Sequence, residues 1–72
     1  MPMSKKETCG ARIATARRKA GLTLQAPADQ IGVSKQAVSL WEADDRSPRL
    51  DNLRAIASAC SVPVQSLIGD AP

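Results

Sequence analysis

Apolar residues return every three or four positions along most of this chain, which is the spacing of helices with one buried face. Cys9, Ile13, Ala16 and Ala20 form a first stripe, Val38 and Trp41 a second, and Leu50, Leu53, Ile56, Ala57 and Cys60 a third. No stretch alternates apolar and polar residues as a half-buried strand would, and no internal repeat is visible. The punctuation between stripes divides the chain into five helices. Ser4-Lys5-Lys6-Glu7 fits a capping box, in which Ser4 and Glu7 satisfy each other's free backbone N–H groups, so helix 1 is expected from there to about Ala20, with Gly21 as its stop. Thr23 is the expected N-cap of helix 2, which ends near Ile31 at Gly32. Ser34 caps a third helix running from Lys35 to about Ala43. Asp44-Asp45-Arg46-Ser47-Pro48-Arg49 cannot continue a helix, because Pro48 lacks a donor and restricts the residue before it. A fourth helix then runs to about Ala59, and Pro63 opens a last short turn containing Val64, Leu67 and Ile68, closed by Gly69.

The weak place in this pattern is Pro27, four residues after Thr23. A proline in a first turn is tolerated far better than one in a helix interior, so helix 2 either starts at Pro27 or has a distorted first turn. The stretch from Thr23 to Glu42 therefore reads as helix, tight turn, helix. With Val38 and Trp41 turned to a core, the second of these helices shows Lys35, Gln36, Ser39 and Leu40 on its other side.

Composition narrows the class. Seventy-two residues make one domain, with an ordered core expected over about 4–69, and a single aromatic residue leaves Leu, Ile, Val and Ala to build its interior. The net charge of +3 is mild, but six of the ten basic residues precede Ala20 with only Glu7 against them. Most of the positive field thus belongs to helix 1, although the commoner role of such residues is a solvated face. Cys9 and Cys60 are far from any CxxC spacing and no histidine accompanies them, so no metal site is expected and both are read as reduced core thiols. No signal peptide and no apolar run of membrane-spanning length are present, which points to a cytoplasmic protein.

Several pieces in register resemble a known family, the phage-repressor and Cro-type helix-turn-helix regulators. They are Ala-Arg-Ile at 11–13, Arg17-Arg18-Lys19-Ala20-Gly21-Leu22-Thr23, Ala28, Ile31-Gly32-Val33-Ser34, Val38, Trp41-Glu42, Pro48-Arg49-Leu50-Asp51-Asn52-Leu53, and Val62 to Leu67. The resemblance covers nearly the whole chain. It implies an all-α, five-helix, lambda-repressor-like domain whose third helix enters the DNA major groove. It assigns base contacts to Lys35, Gln36, Ser39 and Leu40, and beside them backbone contacts are expected from Thr23, Gln25, Ser34, Arg46, Arg49 and Asn52. Gln36 has the chemistry for a bidentate contact to adenine, Lys35 for donation to guanine or phosphate, and Leu40 for apolar contact to a thymine methyl. The family also pairs a helix-1 arginine with the glutamate closing the reading helix, here Arg17 and Glu42, and by analogy a homodimer would form through Val64, Leu67 and Ile68. The chain departs from the family at Leu24, where a DNA-contacting glutamine is common, at Pro27, where a core leucine is common, and at Asp44-Asp45, whose charges are expected to repel phosphates.

The function expected from these readings is a dimeric, sequence-specific DNA-binding transcriptional regulator, a repressor of a near-palindromic operator, with no cofactor. The rival is a protein-interaction module, either an antitoxin-like partner or a degenerate helix-turn-helix assembly domain, favoured by Leu40, Asp44 and Asp45. An enzyme is disfavoured, because there is no histidine for acid–base work and no P-loop, G-x-S-x-G or metal-ligand cluster.

Overall fold

The computed structural model describes residues 8–68, and these contain five α-helices and no strand. They are α1 (Cys9–Lys19), α2 (Gln25–Ile31), α3 (Lys35–Glu42), α4 (Leu50–Cys60) and α5 (Gln65–Ile68). The Ser4–Glu7 capping box and Gly69 lie outside the described residues. Helix α1 starts later than the box predicts. Thr8 is its N-cap, in extended conformation, and its Oγ1 accepts from the Ala11 N–H at 3.1 Å.

The two expected glycine stops hold their positions for the expected reason. Gly21 and Gly32 have φ of +73° and +87°, a left-handed conformation that a Cβ would strain. Ser34 caps α3 as predicted, its Oγ accepting from the Ala37 N–H at 3.2 Å. Thr23 does not take the cap of α2. Leu24 occupies that place with helical dihedrals and no side-chain cap bond, and Pro27 becomes the third helical residue. The first four N–H groups of a helix have no internal partner, so the donor that Pro27 lacks is one the helix never used. Its ring is fully buried, taking the core space that a leucine would otherwise fill.

The core is Ile13, Ala16, Ala28, Val38, Trp41, Leu53, Ile56, Ala57, Cys60 and Leu67. Helix α1 packs on α3, α4 and α5, while α2 packs on α3 and α4. Two stripe positions expected inside are not: Ala20 is exposed at the C-cap of α1, and Leu50 is 51% exposed at the first position of α4. Ile31 is half-buried at the core edge. Leu67, expected on a dimer surface, is instead fully enclosed in the core. The four-residue α5 has one face toward α1, and Leu67 is on it. Burial pushes the thiols of Cys9 and Cys60 above their ordinary pKa, which keeps both protonated near neutrality. No described helix is long and apolar enough to cross a membrane.

Candidate nucleic-acid interface

Two short helices meet with their N-termini at one open groove. Thr23, Leu24, Gln25, Lys35, Gln36 and Ser39 line it over Arg17, enclosing about 560 Å³. The turn through Gly32 sets this geometry, because its left-handed backbone ends α2 and lets α3 start in a new direction three residues later. Neither α2 nor α3 has an acidic residue in its first turn, so the positive ends of both helix dipoles stay uncompensated at the groove.

The sequence-assigned contacts divide into two groups. Lys35, Gln36 and Ser39 are exposed and share the groove with Thr23 and Gln25. Leu40 is 37% exposed on the same helix, outside the groove lining. Gln25 donates from Nε2 to Asp29 Oδ1 at 2.7 Å, which leaves its second amide hydrogen for another acceptor. The hydroxyl of Ser34 is engaged as the cap of α3. Arg46 and Arg49, exposed in the loop after α3, and the half-buried Asn52 in α4 do not line the groove.

Beneath the groove, Arg17 and Glu42 form the expected pair in full. Arg17 donates from Nε to Glu42 Oε2 at 2.6 Å and from Nη2 to Oε1 at 3.1 Å, while Nη1 donates to the Leu22 carbonyl at 3.0 Å. The two side chains are only 14% and 11% exposed. This bidentate arrangement fixes the end of α3 against α1 and carries the backbone of the turn before α2 with it.

Asp44 has a role that the sequence did not disclose. Its φ of +63° swings the carboxylate back over the start of α1, where Oδ2 accepts from Thr8 Oγ1 at 2.6 Å and Oδ1 from the Gly10 N–H at 3.0 Å. The charge therefore compensates the positive end of α1, and only Asp45 remains as a free anion in this loop. The signal was present in the neighbouring Thr8 and Gly10, but it required knowing that positions thirty-six and thirty-four residues apart meet. Opposite effects on DNA affinity are expected from the two acids. Asp45→Ala should strengthen DNA binding in a low-salt gel shift, whereas Asp44→Ala should weaken it and lower the melting temperature. A gain in affinity from Asp44→Ala would show that its charge repels phosphates.

Among the described residues no group of three or more His, Cys, Asp or Glu gathers as a metal site. Five packed helices with a groove between the N-termini of α2 and α3 define a helix-turn-helix domain. The helix-turn-helix family model matches residues 13–67, and the chain belongs to that family. Among solved structures, it is similar to the P22 c2 repressor in complex with synthetic operator 9T, at 31% identity and a TM-score of 0.79 over 86% of this chain and 94% of that one. It is similar also to the N-terminal DNA-binding domain of SinR from Bacillus subtilis, at 27% identity and a TM-score of 0.77 over 86% and 91%. A third similar structure is the restriction-modification controller protein C.AhdI from Aeromonas hydrophila, at 25% identity and a TM-score of 0.77 over 83% and 91%. No curated protein matches the sequence.

Proposed function

We propose that this helix-turn-helix protein is a sequence-specific transcriptional repressor that binds a near-palindromic operator as a dimer. The observation that carries the reading is the groove itself. Lys35, Gln36 and Ser39 stand exposed on a helix whose opposite side, Val38 and Trp41, is locked in the core, with Thr23 and Gln25 beside them to meet the phosphate backbone. Base-reading residues on a helix held this way are preorganised for the major groove. The similarity to a repressor seen with its operator supports the same reading. Arg46, Arg49 and Asn52 extend the backbone contacts along the adjacent DNA, and Leu40 supplies apolar contact to a thymine methyl.

Selection of bound DNA from a random pool should return a site with two related halves. Gln36→Ala should lose preference at one base position by about 1 to 3 kcal/mol while leaving the salt dependence nearly unchanged, because a base contact and not a phosphate contact is removed. Absence of binding even at low salt would favour the rival role in protein assembly, to which exposed Leu40 and Leu50 would contribute.

Pairing of two domains would place two reading helices roughly 34 Å apart on one face of the DNA. The surface for this pairing is reduced to Val64, just before α5, and Ile68 at its end, since Leu67 is withdrawn into the core. Val64 is half-buried and Ile68 is 50% exposed, so Ile68 is the residue to change. Ile68→Asp should give folded monomers by light scattering at concentrations where the natural chain is dimeric. Dimers that persist would place the contact elsewhere.

A further inference from the structure

A second concavity, of about 210 Å³, lies between α1 and the start of α5, lined by Arg12, Thr15, Ala16, Lys19, Val62 and Ser66. The four α1 residues recur at spacings of three, one and three, so they form a single stripe. Arg17, which underlies the reading groove, is about 140° around the same helix from Arg12. The concavity therefore opens on another side of the molecule. Arg12 and Lys19 stand at its two ends, about 10 Å apart along the helix axis. Among the described residues the one ion pair is Arg17–Glu42, and neither of these cations takes part in it. Arg12 Nε is enclosed without a hydrogen-bond partner, a donor left unsatisfied at a cost.

We infer that this concavity docks an acidic segment of a partner protein, independently of DNA. Carboxylates two residues apart share one face of an extended segment, separated by roughly 7 Å, and the long side chains of Arg12 and Lys19 can close on both at once. One carboxylate can take a charge-assisted contact from the outer nitrogens of the Arg12 guanidinium, the Nε itself being enclosed. Thr15 offers a hydroxyl between the cations, and half-buried Val62 with Ala16 gives an apolar floor. The same concavity of a second copy does not fit, because it would set Arg12 and Lys19 against basic residues again. An isolated phosphate can satisfy only one end.

The test is an amide NMR titration of the full chain with a deca-glutamate peptide, with glutarate and inorganic phosphate as separate arms. The peptide should shift the amides of Arg12, Thr15, Lys19, Val62 and Ser66. Joint Arg12→Gln and Lys19→Gln substitution should weaken its binding about tenfold with the fold intact by circular dichroism, while Arg18→Gln leaves it unchanged. Shifts centred on Lys35, Arg46 and Arg49, or equal binding to the doubly substituted chain, would overturn the site. Saturation by phosphate or glutarate as tight as by the peptide would overturn the partner segment in favour of a small anion.

Discussion

Gly10→Ala is expected to cost this domain about 3 kcal/mol, near the upper end of overpacking penalties, or roughly 15 °C of melting temperature at this size. Alanine is the better helix former by about 1 kcal/mol, so propensity alone gives the opposite sign. The native backbone leaves no room for the methyl. A Cβ built on Gly10 would press on the Trp41 carbonyl and sit 2.6 Å from the Glu42 carbonyl and 2.7 Å from Asp44 Oδ1. Two of these are backbone atoms at the end of α3, which cannot swing aside as a long side chain can, and the third already accepts from the Gly10 N–H. Relief requires moving α1 away from α3, which also opens the contact around Trp41. Thermal melting by circular dichroism decides the matter, and a variant within a few degrees of the natural chain would mean that the two helices separate without penalty.

Removal of Glu42 should have an effect of the same size. Glu42→Ala leaves the Arg17 guanidinium largely enclosed with the Leu22 carbonyl as its remaining partner, and stranding a buried charge costs about 3 kcal/mol. Replacing both, as Arg17→Met with Glu42→Leu, should recover much of the loss, since the attraction in the natural pair is largely offset by desolvation. Urea melts of the three variants measure this. A double variant no more stable than Glu42→Ala would show that the pair contributes strongly on balance. The hydrogen bond to Glu42 raises the Arg17 pKa above its ordinary value, with desolvation opposing. A cation stabilised in the folded state gives its full contribution below its ordinary pKa and loses it only as pH climbs through the raised value. Arg17's own titration therefore gives no pH dependence to this term near neutrality.

Where sequence reading succeeded, the deciding interactions were short in sequence. Ser34 caps the helix that follows it by accepting from an N–H three residues on, Gly21 and Gly32 follow the helices they stop, and Val38 and Trp41 sit on one face of α3 by spacing alone. The Arg17–Glu42 pair is longer in range and came through the family pattern instead. The misses share a physical origin. Leu67 and Ile68 are equally apolar neighbours, and only the packing of α5 on α1 sends one inward and the other out. Leu50 falls on the helical spacing of α4 yet precedes the part that the rest of the fold covers. Asp44 looks like a charge beside DNA until its positive φ turns it toward Thr8 and Gly10. Pro27 looks like a helix breaker until the start of α2 two residues earlier makes its missing donor harmless.

Helix α3 is fastened to α1 near its C-terminal end, by Glu42 to Arg17 and by the close passage of its last carbonyls over Gly10. Its exposed residues Lys35, Gln36 and Ser39 have no structural duty among those attachments. The surface proposed to select a DNA sequence can therefore change by substitution at three or four positions while the scaffold stays the same, without a compensating change in its interior.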